Sequence, residues 1–208
     1  MFDAGARLGA EVRRVESRQH EGQTVKVVEA TRVYDTDAAD LWDALTNPER
    51  IPRWFLPVEG ELKLGGRYQL KGNAGGTITR CDPPAALDLT WEFGGGMSWV
   101  AVRLEPAGGG TRLVLEHLAP ENDHWVQYGP GAVGVGWELS LMALGMHLAS
   151  GGAPVDPAEA AAWSTSAEGK AFMRASAAAW GEADIAAGAD PEAARAAAQR
   201  TAAFYAPD

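Results

Sequence analysis

The chain has 208 residues, 46% of them hydrophobic, enough for one large domain, or a domain with an appendage, around a substantial core. Its net charge of −10, with 18 scattered basic residues, argues against a nucleic-acid-binding surface, because such a surface needs clustered Lys and Arg. A single cysteine, Cys81, excludes an internal disulfide. The first residues lack the basic-then-apolar order of a signal peptide, so a soluble cytoplasmic protein is expected.

The first predicted element is a β-hairpin over residues 8–34, with a polar break at residues 20–23. Its second arm is the stronger strand signal, because β-branched residues crowd it. Alternation places Arg32 on the same face as Ala30 and Tyr34, which predicts an inward-pointing guanidinium with apolar neighbours.

Two short helices are predicted next. Thr36 or Asp37 can cap the first helix by accepting a backbone N–H. The second is predicted from Pro48 to about Trp54, because Asn47 can cap it and proline suits the first helical position.

From Glu59 onward the apolar period changes to two, which predicts about six short strands. Leu62 and Leu64 alternate with charged residues and precede a Gly65-Gly66 turn. The later alternating segments lie at residues 68–70, 87–93, 100–104 and 113–117. Short strands joined by tight turns predict an antiparallel sheet, and its apolar face must be covered by another element.

The predicted cover is the apolar segment 131–150. One helical stripe in it consists of Val133, Trp137, Leu141, Leu144 and Leu148, and a second apolar stripe lies beside it. A membrane span of this length is the alternative, but the glycines, Glu138 and His147 argue against a bilayer segment. The sequence therefore predicts an α+β fold, an antiparallel sheet wrapped around a long helix.

The composition shifts to alanine after Gly151-Gly152, which predicts a domain at 1–152, formed by the sheet and the long helix, and a helical extension at 153–208. The expected helix caps in this extension are Asp156, Ser166 and Asp190. The extension buries too little area to fold alone, so it must dock on the domain or on a second subunit. A homodimer formed through residues 153–208 is one expectation.

Several local strings are shared with a known family. They are Tyr34-Asp35, residues 41–46, Pro48-Glu49, Trp54-Phe55, residues 65–68, Trp91-Glu92-Phe93, Thr111-Arg112-Leu113, Leu115-Glu116-His117 and residues 134–137. With the order of elements, they resemble the START-like, helix-grip superfamily (SRPBCC), in the branch named after activators of a heat-shock chaperone's ATPase. The resemblance covers about residues 25–150. It implies a seven-stranded antiparallel sheet around the long helix, a cavity between them, and members that bind or transform hydrophobic small molecules.

On that fold, five aromatic residues would converge between sheet and helix and line a ligand cavity. They are Trp54, Phe55, Tyr68, Trp91 and Trp137, and Leu141 joins them from the Trp137 stripe. An apolar, concave surface with few polar groups is typical of a small-molecule site. Plain core packing of the same rings is the alternative.

Two polar residues are candidates for orienting a ligand. His117 lies on the apolar face of its strand and could hydrogen-bond a ligand or act as an acid or base. Its alternative role is a strand-end histidine bonded to backbone, or a position at the sheet rim. Arg32 could hold a ligand carboxylate, or it could form a structural ion pair with Glu92 or Glu116.

No metal and no cofactor are expected, because the acidic and histidine residues at 116–124 lack a zinc-type spacing. The favoured hypothesis is a small hydrophobic-ligand-binding protein without an assigned catalytic residue. A cyclase or hydrolase that uses His117 in the same cavity is the second hypothesis. A protein-interaction or stress-response scaffold, with the alanine-rich tail as docking element, is the third.

Overall fold

The computed structural model describes residues 12–207. Two expectations concern residues outside this range. They are the expected lack of a signal peptide and the hairpin residues 8–11. From residue 12 onward the hairpin is present as strands β1 (Val12–His20) and β2 (Gln23–Tyr34). Glu21 and Gly22 join them with positive φ angles of 48° and 80°, the combination that a tight hairpin turn requires.

The remaining strands follow a single short α-helix. In chain order the elements are α1 (Ala38–Thr46), β3 (Val58–Gly60), β4 (Arg67–Leu70), β5 (Gly75–Asp82), β6 (Ala86–Phe93), β7 (Gly96–Ala107) and β8 (Gly110–Pro120). Within residues 12–207 the eight strands form one antiparallel sheet in the order β1-β2-β8-β7-β6-β5-β4-β3. The predicted antiparallel α+β fold is confirmed. The sheet has eight strands rather than the seven implied by the family resemblance, and β1 lies at one edge.

Two local predictions between residues 48 and 66 are wrong. The predicted second helix is only a 3-10 turn at Ile51–Arg53, because Pro52 has no N–H to donate to the preceding turn. The predicted strand through Leu62 and Leu64 is a loop that follows the end of β3. In this loop the N–H of Lys63 donates to the carbonyl of residue 61. This local hydrogen bond takes the place of one to a neighbouring strand.

The register of β6, β7 and β8 fixes which side chains are neighbours. Leu89 lies opposite Val100, which lies opposite His117, and Trp91 lies opposite Ser98. Because alternate residues of a strand share a face, these five side chains lie on the same side of the sheet. We refer to this side as the His117 face.

The described chain separates into two compact units that interleave in sequence. Unit 1 consists of residues 12–30, 120–139 and 156–207, and unit 2 consists of residues 31–119 and 140–155. Strand β2 and the long helix α3 (Gly131–Ala149) therefore each contribute to both units.

In unit 2 the second half of α3 packs against the end of β2. The hydroxyl of Tyr34 donates to the backbone oxygen of Leu141 at 2.9 Å. Gly145 lies under the Tyr34 ring and the Arg32 guanidinium. A Cβ added at Gly145 would be 3.4 Å from the ring and 3.7 Å from the guanidinium. Leu141 and His147 are almost fully buried. This part of α3 is therefore a core helix.

Length and composition alone would allow α3 to cross a membrane, since its mean hydropathy is 1.3 over a helix of 19 residues. The core helix of a soluble protein passes the same test. The buried contacts of its second half with β2 identify α3 as such a helix, so the fold is that of a soluble protein.

Unit 1 contains the remaining helices. They are α2 (Asp123–Tyr128), α4 (Pro157–Thr165), α5 (Ala167–Ala186) and α6 (Pro191–Tyr205). The three predicted caps are confirmed, because Asp156, Ser166 and Asp190 each accept a backbone N–H at the start of a helix. Proline at the first helical position of α4 and α6 supports the same starts.

The alanine-rich helices pack on other elements of unit 1. α5 contacts β1, and α6 contacts α2. The hydroxyl of Tyr205 donates to the backbone oxygen of Ala132 at 3.1 Å, and Thr201 donates to that of Tyr128 at 2.7 Å. The predicted homodimer through residues 153–208 and the predicted domain boundary at residue 152 stay predictions.

A buried ion pair links β1 to the first half of α3 in unit 1. The Nε and Nη2 atoms of Arg13 each lie 2.5 Å from a carboxylate oxygen of Glu138. The side chain of Glu138 is 0% exposed and that of Arg13 is 10% exposed. The carboxylate thus lies in the middle of a mostly apolar helix, and its charge is matched by a bidentate guanidinium.

Gly134 gives a direct test of how α5 packs on α3. A Cβ at Gly134 would lie 2.4 Å from Cε2 of Trp180, a large side chain that is fully buried. We expect Gly134→Ala to lower the free energy of unfolding by about 1–2 kcal/mol, although alanine favours helices, because overpacking outweighs propensity. Urea denaturation measures the change.

Gly136→Ala is the matched control on the same helix. There the added Cβ would approach only the hydroxyl of the half-buried Tyr205, at 3.2 Å. We expect this variant to unfold within about 0.5 kcal/mol of the original protein. Equal stabilities for the two variants would contradict the packing of Trp180 on Gly134.

Candidate functional site

An apolar cluster lies on strands β4 to β6 of unit 2. Its buried members are Tyr68, Leu70 and Ile78. Around them packs a set of side chains that are only partly buried, namely Phe55, Leu56, Val58, Leu62, Cys81, Leu87, Leu89 and Trp91. We call these residues together the β4–β6 cluster. It contains three of the predicted ligand-binding residues, Phe55, Tyr68 and Trp91.

Tyr68 is held rigidly in this cluster. Its hydroxyl donates to the backbone oxygen of Thr90 at 2.7 Å. Gly76 lies directly across from Tyr68 on β5, and a Cβ there would come within 2.0 Å of the same oxygen, so only glycine fits. Burial raises the pKa of Tyr68, so its phenol stays uncharged at neutral pH. Tyr68 therefore supplies an apolar ring rather than a reactive group.

Trp54 forms a stacked pair with Phe55, a member of the β4–β6 cluster. Their ring centroids are 5.4 Å apart with an interplanar angle of 24°. The indole N–H of Trp54 donates to the backbone oxygen of Ala44 at 2.9 Å, which ties this ring to α1. Both rings are only half-buried. The pair therefore extends the partly open aromatic surface.

His117 is the buried polar residue of the His117 face, with 4% of its surface exposed. Burial lowers its pKa from 6.5 to about 4, so the imidazole is neutral at pH 7. Its Nε2 atom lies 2.9 Å from Oγ of Ser98. Its ring meets the ring of Trp91 edge-on, with centroids 6.0 Å apart. The structure thus brings His117 and Trp91 together, away from the sheet rim.

Arg32 is buried as predicted, with 8% of its surface exposed. Its guanidinium carbon lies 5.5 Å from the centre of the Tyr34 ring, within cation–π range. Glu92, one of the two suggested ion-pair partners, instead pairs with Arg67 at 2.8 Å on an exposed surface. The guanidinium also lies against α3, 3.7 Å from where a Cβ of Gly145 would be.

The two predicted residues of α3 lie in different units. Leu141 belongs to unit 2 and is 1% exposed. Trp137 belongs to unit 1 and is half-buried there. Their roles in ligand binding, like those of the other predicted site residues, stay predictions.

Ser98 was missed by the sequence analysis. Val100 and Val102 alternate along β7, and Ser98 lies two residues before Val100. Extending the alternation by one position would therefore have placed Ser98 on the same face. Its hydroxyl lies 3.1 Å from the backbone oxygen of Trp91, to which it donates. Ser98 thus connects the two residues of greatest interest, Trp91 and His117.

The arrangement offers partly open rings with a few uncharged polar groups. Such a surface suits the recognition of an apolar small molecule. An imidazole with a pKa of about 4 is a weak base near neutral pH, so His117 is poorly suited to general base catalysis. Among residues 12–207, no group of three or more His, Cys, Asp or Glu is placed to hold a metal ion.

Solved structures of CalU16 from Micromonospora echinospora are similar to this chain. Its crystal structure is 32% identical, covers 84% of this chain and 98% of CalU16, and superposes with a TM-score of 0.67. Its solution structure gives 32% identity, 86% and 97% coverage and a TM-score of 0.72. Protein MLL2253 from Mesorhizobium loti, at 22% identity, 60% and 97% coverage and a TM-score of 0.55, shares the fold.

No curated protein matches the sequence significantly. The model of the family described as "Activator of Hsp90 ATPase homolog 1-like protein" matches residues 35–149, more than half of the chain. This range runs from the end of β2 to the end of α3 and includes most of the helix-grip fold. Together with the similarity to CalU16, the match shows that the chain belongs to the family of Activator of Hsp90 ATPase homolog 1-like proteins in the START-like superfamily.

Proposed function

We propose that this protein binds an uncharged, ring-containing hydrophobic small molecule in unit 2. The ligand would lie against the His117 face and the β4–β6 cluster, with the second half of α3 as its cover. No cofactor takes part in this proposal. Phe55 and Trp91 would contact the rings of the ligand, and the neutral, hydrogen-bonded pair of His117 and Ser98 would supply a polar contact point.

The partial burial of the β4–β6 cluster is the observation that carries the proposal. Side chains such as Phe55, Leu89 and Trp91 surround a buried centre, yet each of them keeps part of its surface exposed. A folded domain gains free energy by burying such groups, roughly 25 cal/mol for each Å². A contiguous apolar surface left open in this way is typical of a binding site.

The charges around the cluster support an uncharged ligand. Arg67 and Glu92 alternate with Tyr68 and Trp91, so they lie on the opposite face of the sheet, where they pair through two hydrogen bonds at 3.2 Å and 2.8 Å. His117 and Tyr68 are uncharged at neutral pH, because burial lowers the pKa of the first and raises that of the second. His117 and Tyr68 thus offer no charge to a ligand carboxylate or ammonium. Binding is favoured over a cyclase or hydrolase activity, because a base of suitable strength is missing from this set.

Titration calorimetry with 2-naphthol, a flat and uncharged probe, tests the proposal. We expect saturable binding by the original protein and a loss of about tenfold in affinity for Trp91→Ala, because a ring contact of this kind contributes about 1.4 kcal/mol. Trp125→Ala is the matched control, since Trp125 is also half-buried but belongs to α2 of unit 1. Circular dichroism confirms that each variant is folded.

Two results would count against the proposal. One is an absence of binding by the original protein across 2-naphthol and comparable two- and three-ring probes. The other is an equal loss of affinity in Trp91→Ala and Trp125→Ala, which would place the probe outside the β4–β6 cluster or show non-specific uptake.

The expected compartment is the cytoplasm. The fold is soluble, and the lone Cys81 is half-buried in an apolar cluster, which is compatible with a reducing environment. Fractionation of cells that produce the protein would test this expectation.

A further inference from the structure

Ser98 lies at the junction of three groups on the His117 face. The register places Ser98 opposite Trp91 on β6. Two residues further along β7, Val100 lies opposite His117 on β8. The Oγ atom of Ser98 lies 3.1 Å from the backbone oxygen of Trp91 and 2.9 Å from Nε2 of His117. These contacts fix the direction of the hydroxyl.

Proton counting assigns the role of each atom. A carbonyl oxygen can only accept, so the single hydroxyl proton of Ser98 is donated to the backbone oxygen of Trp91. Nε2 of His117 must then carry a proton and donate it to Oγ of Ser98. A hydroxyl oxygen has two acceptor positions, and the described contacts use one of them. The second position is available for a donor from outside the protein.

Exposure decides which polar atom of this face a ligand can reach. His117 is 4% exposed and Val100 is 3% exposed, whereas Ser98 and Trp91 are half-buried. A ring stacked on Trp91 would therefore come close to Ser98, which lies directly opposite on β7, whereas the buried imidazole is less accessible. Ser98 is thus the polar contact point, and His117 holds its hydroxyl in a fixed orientation.

We infer that Ser98 Oγ accepts a hydrogen bond from the ligand, so that the site selects ring compounds carrying an O–H or N–H donor. The inference rests on the proposed function and adds the chemical class of the ligand. A phenol or an aromatic amide fits this description, and the corresponding methyl ether does not. The methyl ether also leaves the acceptor position on Ser98 unpaired after the ligand has displaced water from it.

Calorimetric titration with two matched probes, 2-naphthol and 2-methoxynaphthalene, tests the inference. We expect the original protein to bind the naphthol about tenfold more tightly than its methyl ether. In Ser98→Ala this ratio should fall to about one, because the acceptor oxygen is gone. In Ser98→Thr, which keeps the hydroxyl and suits a strand, the ratio should stay close to tenfold.

Ser164→Ala is the matched control, because Ser164 is also half-buried but lies on α4 of unit 1. Its ratio should remain that of the original protein. If Ser98→Ala does not fold, Ser98→Cys replaces it, since a thiol of similar shape is only a weak acceptor and should lower the ratio in the same direction.

The outcomes separate the inference from the proposed function. Equal affinities for the two probes in the original protein, or a tenfold ratio that survives in Ser98→Ala or Ser98→Cys, would overturn the role of Ser98 while leaving ligand binding intact. An absence of binding for both probes would overturn the proposed function itself.

Discussion

Replacing Arg13 with methionine is expected to lower the free energy of unfolding by about 3–5 kcal/mol. The substitution leaves the fully buried carboxylate of Glu138 without the guanidinium that donates two hydrogen bonds to it at 2.5 Å. A buried carboxylate without a counter-charge has lost its hydration and gained nothing in return. Urea denaturation of the purified protein measures the loss.

The double variant Arg13→Met, Glu138→Leu is the control for this prediction. It removes both charges and replaces them by apolar side chains of similar length, an exchange that is often neutral or stabilising. We expect its stability to lie within about 1 kcal/mol of the original protein, so the double-mutant cycle should show strong coupling. Additive losses in the two single variants would show that the ion pair does not hold β1 on α3.

This ion pair also shows where sequence reasoning stops. The sequence showed Glu138 as one of the few polar positions of the apolar segment 131–150, and in the structure its side chain is buried. Its partner Arg13 is 125 residues away in the sequence. No periodicity connects two positions so far apart, because their contact depends on the complete fold.

Elements governed by near neighbours were predictable. The three caps Asp156, Ser166 and Asp190 depend only on residues two or three positions further on, and all three accept the expected kind of hydrogen bond. Leu62 and Leu64 show the limit of the same approach. They alternate with charged residues as a strand would, yet the backbone of Lys63 between them bonds within the loop, to residues 61 and 66, and Leu64 is 63% exposed.

The candidate site was predictable in part. Alternation placed His117 on an apolar face, and its burial confirms that placement. The contact with Ser98 depends on the register of β7 and β8, which is fixed by a two-residue turn at Gly108-Gly109, where both glycines have positive φ. A slip of one residue in that register would move every side chain to the other face, and the sequence alone could not exclude such a slip.

The free energy of unfolding is expected to fall by about 3 kcal/mol between pH 7 and pH 4 because of His117 alone. In the unfolded chain this histidine titrates near its ordinary pKa of 6.5, whereas burial lowers the pKa in the folded protein to about 4. Between these values the unfolded state binds more protons. The stabilisation is therefore complete above about pH 6.5, is lost progressively as the pH falls, and changes no further below about pH 4.

Unfolding measured at several pH values for the original protein and for two replacements, His117→Gln and His117→Phe, isolates this effect. Neither replacement titrates, so each should lack the pH-dependent loss of about 3 kcal/mol, whatever its stability at pH 7. Glutamine retains a hydrogen-bond donor for Ser98 and phenylalanine does not. If both variants lack the pH-dependent loss of stability, the loss is caused by protonation of His117 and not by its hydrogen bond to Ser98. Parallel curves for the original protein and both variants would show that His117 titrates alike in the folded and unfolded states. His117 would then become protonated in the folded protein as the pH falls through its ordinary pKa. The site would lose the neutral imidazole on which the proposed recognition of an uncharged ligand depends.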